Sequence, residues 1–159
     1  MKHLVLLLLA ITFSTTAQVA STDNEYATTE KTYRASDVDF KPQLKDGMYT
    51  LSLFISENFK FPEAVKNKKI TIFSSFVIEP DGTMTNQKAF HIIMKDYIAS
   101  NVVKIATEDE KINELDQIET MKAETVRVLK LFKKTWTPAT KDGKTVRCLF
   151  NYPINFNIE

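Results

Sequence analysis

The sequence offers few side chains that could do chemistry. After residue 3 it holds one histidine, His91, at the end of a predicted strand, and one cysteine, Cys148. Cys148 falls among core-facing positions, so we expect a buried apolar residue rather than a nucleophile. The sequence has no metal-ligand spacing, no nucleophile elbow and no glycine-rich phosphate loop. It therefore predicts a protein that is not an enzyme and takes no metal and no cofactor.

Acidic residues are concentrated between Glu108 and Glu119, around a thin apolar stripe of Ile112, Leu115 and Ile118. The spacing lacks the glycine of a calcium-binding loop, so we expect an exposed loop, with room for a short helix, rather than a cation site. The whole chain carries 21 basic and 20 acidic residues. This balance gives no electrostatic basis for binding nucleic acid or an anionic membrane, because both depend on excess positive charge.

The first residues have the pattern of a secretion signal. A basic start, Met1-Lys2-His3, precedes an apolar run from Leu4 to Phe13 and then small polar residues. We predict cleavage after Ala17, with Ala20 as the alternative. The run is shorter than the ~20 apolar residues of a spanning helix, so an uncleaved inner-membrane anchor is the less favoured alternative. The protein is expected in the periplasm or secreted.

The organisation that follows is simple. Residues 18–38 are charged and rich in Ser and Thr, without apolar periodicity, which is typical of a flexible leader. The predicted divisions are a signal peptide over 1–17, the leader over 18–38 and a domain over 39–159. A single cysteine allows no intrachain disulfide, so stability must come from a hydrophobic core.

Periodicity predicts the elements of this domain. Apolar residues at helical spacing indicate helices from Met48 to Asn58 and from Met121 to Lys134. Ile70 to Glu79 has strand character, and the turn Pro80-Asp81-Gly82 returns it as a second strand from Thr83 to about Ile92. Residues 92–120 form an insert before the second helix.

The terminal strand alternates strictly between apolar and polar residues. Its core-facing positions are Val146, Cys148, Phe150, Tyr152, Ile154, Phe156 and Ile158. One packed and one wet face, with the order helix, strand, strand, helix, strand, predict a two-layer α+β domain. We expect a small antiparallel sheet of about three strands, with both helices on one face.

Several segments read together resemble the TonB C-terminal domain family, in the form common in Bacteroidetes. The match covers about residues 40–159, and its most specific part is a run of segments that fall in order near the C-terminus. The matching segments are Phe61-Pro62-Glu63-Ala64, Phe76 to Thr83, Trp136-Thr137-Pro138-Ala139, Gly143-Lys144-Thr145-Val146 and Pro153-Ile154-Asn155-Phe156. The motif also implies that Trp136 fills the core between the second helix and the terminal strand. The family's Pro-rich span is not found in this sequence, and the 92–120 insert replaces a short loop.

The resemblance implies recognition of a short extended peptide, the TonB box of an outer-membrane transporter, added as a strand at the sheet edge. The partner is then such a transporter or another envelope protein. Pro153 lacks an N–H, so we expect the terminal strand to lie at the edge and to dock peptide with its first half. The predicted peptide-binding residues are Thr145, Val146, Arg147, Cys148, Leu149, Phe150, Asn151 and Tyr152. The alternative is a structural envelope protein that self-associates as a homodimer.

Overall fold

The computed structural model describes residues 31–96 and 106–159. The predicted signal peptide and leader residues 18–30 therefore lie outside the described residues. Two helices are present in this part of the chain, α1 (Met48–Asn58) and α2 (Glu108–Leu131). The strands in chain order are β1 (Tyr33–Arg34), β2 (Gln43–Leu44), β3 (Lys68–Ile78), β4 (Met84–Asp96), β5 (Trp136–Thr137), β6 (Ala139–Lys141), β7 (Lys144–Val146) and β8 (Cys148–Ile158).

The main sheet has four strands in the order β1-β8-β3-β4. Strand β3 pairs antiparallel with β4 and with β8, whereas β1 joins β8 in parallel. Two small sheets, β2-β5 and β6-β7, complete the pairing. The α+β class is confirmed, but the predicted antiparallel sheet of about three strands is wrong, because β1 adds a fourth, parallel strand. A strand of two residues is too short to show alternation in sequence.

Both helices cover one face of this sheet. The predicted core side of α1 is confirmed by Leu51 and Ile55, which are buried. The predicted core side of α2 is also buried, through Met121, Thr125, Val128 and Leu129, and Phe132, directly after the helix, is buried as well. Their partners on the sheet include Ile70, Ile72, Phe76, Ile78, Ile92 and Ile154. The opposite sheet face carries polar pairs, such as the hydrogen bond from Thr71 Oγ1 to Asn155 Oδ1 at 2.9 Å.

The insert at 92–120, in which Glu108 to Glu119 were expected to form an exposed loop with room for a short helix, is regular structure over most of its described residues. Strand β4 continues to Asp96, and α2 begins at Glu108, well before the predicted start at Met121. Thr107 and Glu110 form a capping box: Glu110 N donates to Thr107 Oγ1, and Thr107 N donates to Glu110 Oε2 at 3.0 Å. Acidic residues suit the first turn of a helix, where the dipole is positive. Residues 97–105 of the insert lie outside the described residues.

The motif from Phe76 to Thr83 and the motif that begins at Trp136 contact each other at the turn between β3 and β4. Trp136 N donates to Gly82 O at 2.9 Å. A Cβ on Gly82 would lie 2.2 Å from Trp136 O, and Gly82 has φ +81°. The ring of Trp136 is 2% exposed and packs against Phe76 and Phe150, with centroid distances of 5.5 and 5.3 Å. The prediction that Trp136 fills the core is confirmed.

Candidate peptide-binding edge

The candidate site is the outer edge of β8, the side that faces away from β3. Backbone N–H and C=O groups of successive strand residues point to opposite edges. Tyr33 N donates to Arg147 O at 2.9 Å, so the backbone groups of Arg147 face outward. The backbone groups of every second residue that follows therefore point to the same outer edge. These residues are Leu149, Asn151, Pro153, Asn155 and Asn157.

Strand β1 covers the first part of this edge. It lies parallel to β8, with Tyr33 opposite Cys148 and Arg34 opposite Leu149. In the described part of the chain, no other strand pairs with the outer side of β8 after Leu149. Among the described residues, the rest of the outer edge, from residue 150 to 158, is therefore not paired with a strand and could accept one.

The eight predicted binding residues are divided between three environments. Thr145 and Val146 pair with Thr140 and Ala139 in the β6-β7 hairpin. Residues 147–149 lie against β1. The last three, Phe150, Asn151 and Tyr152, lie on the open part, and Asn151 alone among them directs its backbone groups outward. Strands of the chain itself therefore pair with the backbone over 145–149, and the binding role of the eight residues stays a prediction.

Pro153 interrupts the row of outward donors. It stands opposite Phe73 in the register with β3, and its outward orientation makes this a pair without hydrogen bonds. The missing N–H of Pro153 therefore costs the β3-β8 ladder nothing and leaves its gap on the outer edge. Strand β8 is paired with β3 over its whole length, from Cys148 opposite Ile78 to Ile158 opposite Lys68. The edge is thus held in an extended conformation.

Two open cavities meet at Phe150, where β1 ends. One has a volume of about 530 Å³, and the other of about 220 Å³. The larger is lined by residues of the segment after β1 and of β8, among them Ala35, Ser36, Lys41, Leu149 and Asn151. The smaller is lined by Pro42, Gln43, Leu44, Gly47 and Met48. Side chains of an added strand would have room on this edge.

An ion pair fixes the start of β8. Arg147 Nε donates to Glu79 Oε2 at 2.6 Å, and Arg147 Nη2 donates to Glu79 Oε1 at 3.0 Å. The two side chains are only 20% and 17% exposed. The hydrogen bond from Arg147 is the main reason that the pKa of Glu79 lies below its ordinary value. Sequence reasoning missed this pair because 68 residues separate its members.

Cys148 and His91 lie in different surroundings. Cys148 is buried, as predicted, and burial raises the pKa of its thiol. His91 is exposed within β4, and its ring stacks on Phe73 with the centroids 5.7 Å apart. Over residues 31–96 and 106–159, no group of three or more His, Cys, Asp or Glu side chains is placed to hold a metal ion. Neither helix described is long and apolar enough to cross a bilayer.

Comparisons of the chain with models of protein families, with curated proteins and with solved structures found no match. The resemblance to the TonB C-terminal domain thus rests on the sequence motifs.

Proposed function

We propose that this protein is an exported binding module of the TonB C-terminal type, which captures an extended peptide as an extra strand on the outer edge of β8. One observation carries the proposal: past Leu149, the outward backbone groups of β8 pair with no other strand in the described part of the chain. Such groups template a strand through main-chain hydrogen bonds. By the sequence resemblance, the guest is the TonB box of an outer-membrane transporter.

The setting of the edge supports this proposal in two ways. Strand β8 is held by β3 along its whole length, so β8 loses little conformational freedom when a guest binds. The cavities beside Phe150 lie where the side chains of a guest would be placed, and so provide a basis for selectivity. Affinity would come from the backbone and specificity from these cavities.

The proposal is tested by removing one outward donor. Asn151→Pro deletes an N–H that faces neither β3 nor β1, so the folded sheet should persist. We expect this variant to bind a TonB-box peptide at least about tenfold more weakly by calorimetry, through the lost hydrogen bond and the bulk of the ring. Asn151→Ala keeps the N–H and isolates the contribution of the side chain. Circular dichroism confirms folding, and wild-type affinity in Asn151→Pro would place the site elsewhere.

Amide exchange locates the site independently. Bound peptide should slow exchange at the outward amides of Asn151 and Asn155, whereas β1 already covers the amide of Leu149. The amides of Phe150 and Tyr152 face β3 and should be protected with or without peptide. If peptide binds and new protection appears only over 106–120, the first half of α2 is the binding surface, and the edge proposal is wrong.

The opposite edge of the sheet, formed by β4, favours a second function: self-association as a structural protein. Strand β4 (Met84–Asp96) is the other outermost strand, and its outer side pairs with no strand among the described residues. Two open edges allow copies to pair edge to edge. Light scattering separates the two functions: a monomer that gains the mass of one peptide supports the binding module, and a dimer unaffected by peptide supports the structural role.

A further inference from the structure

We propose that residues 31–40, here called the resident segment, form a built-in occupant of the peptide-binding edge that a guest strand must displace. This inference rests on the proposed function of the β8 edge and adds how that edge is regulated. Strand β1 belongs to the resident segment and runs parallel to β8. A guest that takes its place in the same register therefore also runs parallel to β8.

The resident segment and a guest compete for the same backbone groups. Before the gap at Pro153, the outer edge offers the C=O of Arg147 and both the N–H and C=O of Leu149 and Asn151. Tyr33 N takes the first of these, at 2.9 Å. The parallel register directs Leu149 N–H to the C=O of Tyr33, and Leu149 C=O to the next N–H of the resident segment. A guest that uses the uninterrupted part of the edge must therefore remove β1.

Strand β1 is suited to be displaced. It has two residues, and the chain turns away directly afterwards, with Asp37 N donating to Arg34 O at 2.9 Å. The ring of Tyr33 is only partly buried, beneath the ammonium groups of Lys31 and Lys141, which lie 4.8 and 5.8 Å from its centroid. A guest that continues along the edge to Asn151 forms bonds that β1 does not form.

The rest of the resident segment is anchored to the β6-β7 hairpin. Asp39 N donates to Thr140 O at 2.9 Å, and Thr140 N donates to Phe40 O at 3.0 Å. Asp142 N donates to Asp39 Oδ2 at 2.7 Å. When β1 leaves the edge, these contacts keep it close, so its effective concentration stays high and it returns when the guest departs. The apparent affinity for a guest equals the intrinsic affinity multiplied by the fraction of edges that are free.

The test compares two proline substitutions one residue apart. Tyr33→Pro removes the N–H that donates to Arg147 O, together with the ring. Thr32→Pro is the matched control, since Thr32 is exposed and its N–H points away from β8. In the free protein, Tyr33→Pro should expose the Leu149 amide to exchange, while the inward amides of Cys148 and Phe150 stay protected. Thr32→Pro should leave all three amides as in the wild type.

Binding gives the second readout. A synthetic peptide of residues 31–37 of this chain, added in trans, should bind Tyr33→Pro about tenfold more tightly than it binds the wild type or Thr32→Pro. It should also restore protection of the Leu149 amide. The TonB-box peptide should show the same gain in affinity for Tyr33→Pro.

The possible failures are distinguishable. If the TonB-box peptide binds all three proteins equally, although the Leu149 amide is exposed in Tyr33→Pro, the inference is overturned and the proposed function stands. If Leu149 stays protected in Tyr33→Pro, the inference is likewise overturned. If the TonB-box peptide binds none of them, but the 31–37 peptide restores protection, the edge takes a parallel strand as inferred and the guest proposed for it is wrong. If neither peptide binds, both proposals fail.

Discussion

At the scale of single residues, Trp136 shows how a core position can be read from sequence. The motif predicted its burial, and the structure places the ring against Phe76 and Phe150. Its Nε1 is buried without a hydrogen-bond partner among the described residues. Because an unpaired buried N–H is unfavourable, Trp136 stabilises the fold through the packing of its ring rather than through its polar atom.

Trp136→Ala should therefore lower the free energy of unfolding by about 3–5 kcal/mol, the range for removing a buried large aromatic side chain. Trp136→Phe should cost clearly less, because it keeps a ring and loses no hydrogen bond. Urea unfolding, followed by circular dichroism, measures both. A loss under about 1 kcal/mol in Trp136→Ala would contradict the burial of the ring.

At the scale of elements, the sequence predicted those helices and strands that have a long periodic pattern of apolar residues. Helix α1 has the predicted bounds, and the core face of α2 and the alternation of β8 agree with the structure. The start of α2 was missed although Thr107 and Glu110 carry the sequence signature of a capping box, because the acidic composition suggested a loop. The first turns of α2 are mostly exposed, with Ile112 and Leu115 58% and 62% exposed. Because these turns pack little against the core, their sequence shows only a weak apolar periodicity.

The candidate site was predictable only in part. Alternation along β8 gives the core-facing and wet-facing side chains, and Pro153 marks a missing donor. The sequence could not show which strand pairs with the outer side of β8, since β1 is two residues long and its pairing is decided by tertiary contacts. The Glu79–Arg147 pair was invisible for the same reason, because the fold alone brings these residues together.

The contact between the β3-β4 turn and β5 leads to a prediction for two glycines. Gly82 and Gly143 both have positive φ, +81° and +73°, but only at Gly82 would a Cβ collide with backbone. Gly143→Ala should cost roughly 1 kcal/mol, from backbone strain alone. Gly82→Ala should cost at least about 1 kcal/mol more, because Trp136 must also move. Equal losses for the two variants in urea unfolding would mean that the turn does not pack against β5 in solution.

At the scale of the whole molecule, three carboxylates join parts of the chain that are distant in sequence. Asp46, before α1, accepts from Lys134, after α2, at 2.8 Å. Glu124 on α2 accepts from the backbone N–H of Lys60, just after α1, at 2.9 Å. Glu79 binds Arg147, as described above. Because net charge is close to zero at pH 7, stability at neutral pH should depend on such specific contacts rather than on overall repulsion.

The pKa of each of these three carboxyl groups lies below its ordinary value, mainly through a side-chain hydrogen bond, from Lys134 to Asp46, from Arg147 to Glu79 and from Arg127 to Glu124. A carboxyl with a lowered pKa in the folded state binds protons more readily when unfolded. It therefore stabilises the fold above its ordinary pKa, 4.5 for Glu79, and this stabilisation is lost as the pH falls through the lowered value.

We therefore expect the free energy of unfolding to be lower at about pH 3 than at about pH 7, measured by urea unfolding at constant ionic strength. Glu79→Gln should reduce stability at neutral pH and shrink the difference between the two pH values, because it removes one of the linked groups. Glu57→Gln is the matched control, since Glu57 is exposed on α1 and makes no ion pair within the described residues. A wild-type stability that is constant or rises on acidification would show that these contacts do not hold the elements together in solution. An equal pH response in the wild type and Glu79→Gln would show that the Glu79–Arg147 pair does not contribute to the pH dependence of stability. It would leave the contributions of Asp46 and Glu124 untouched.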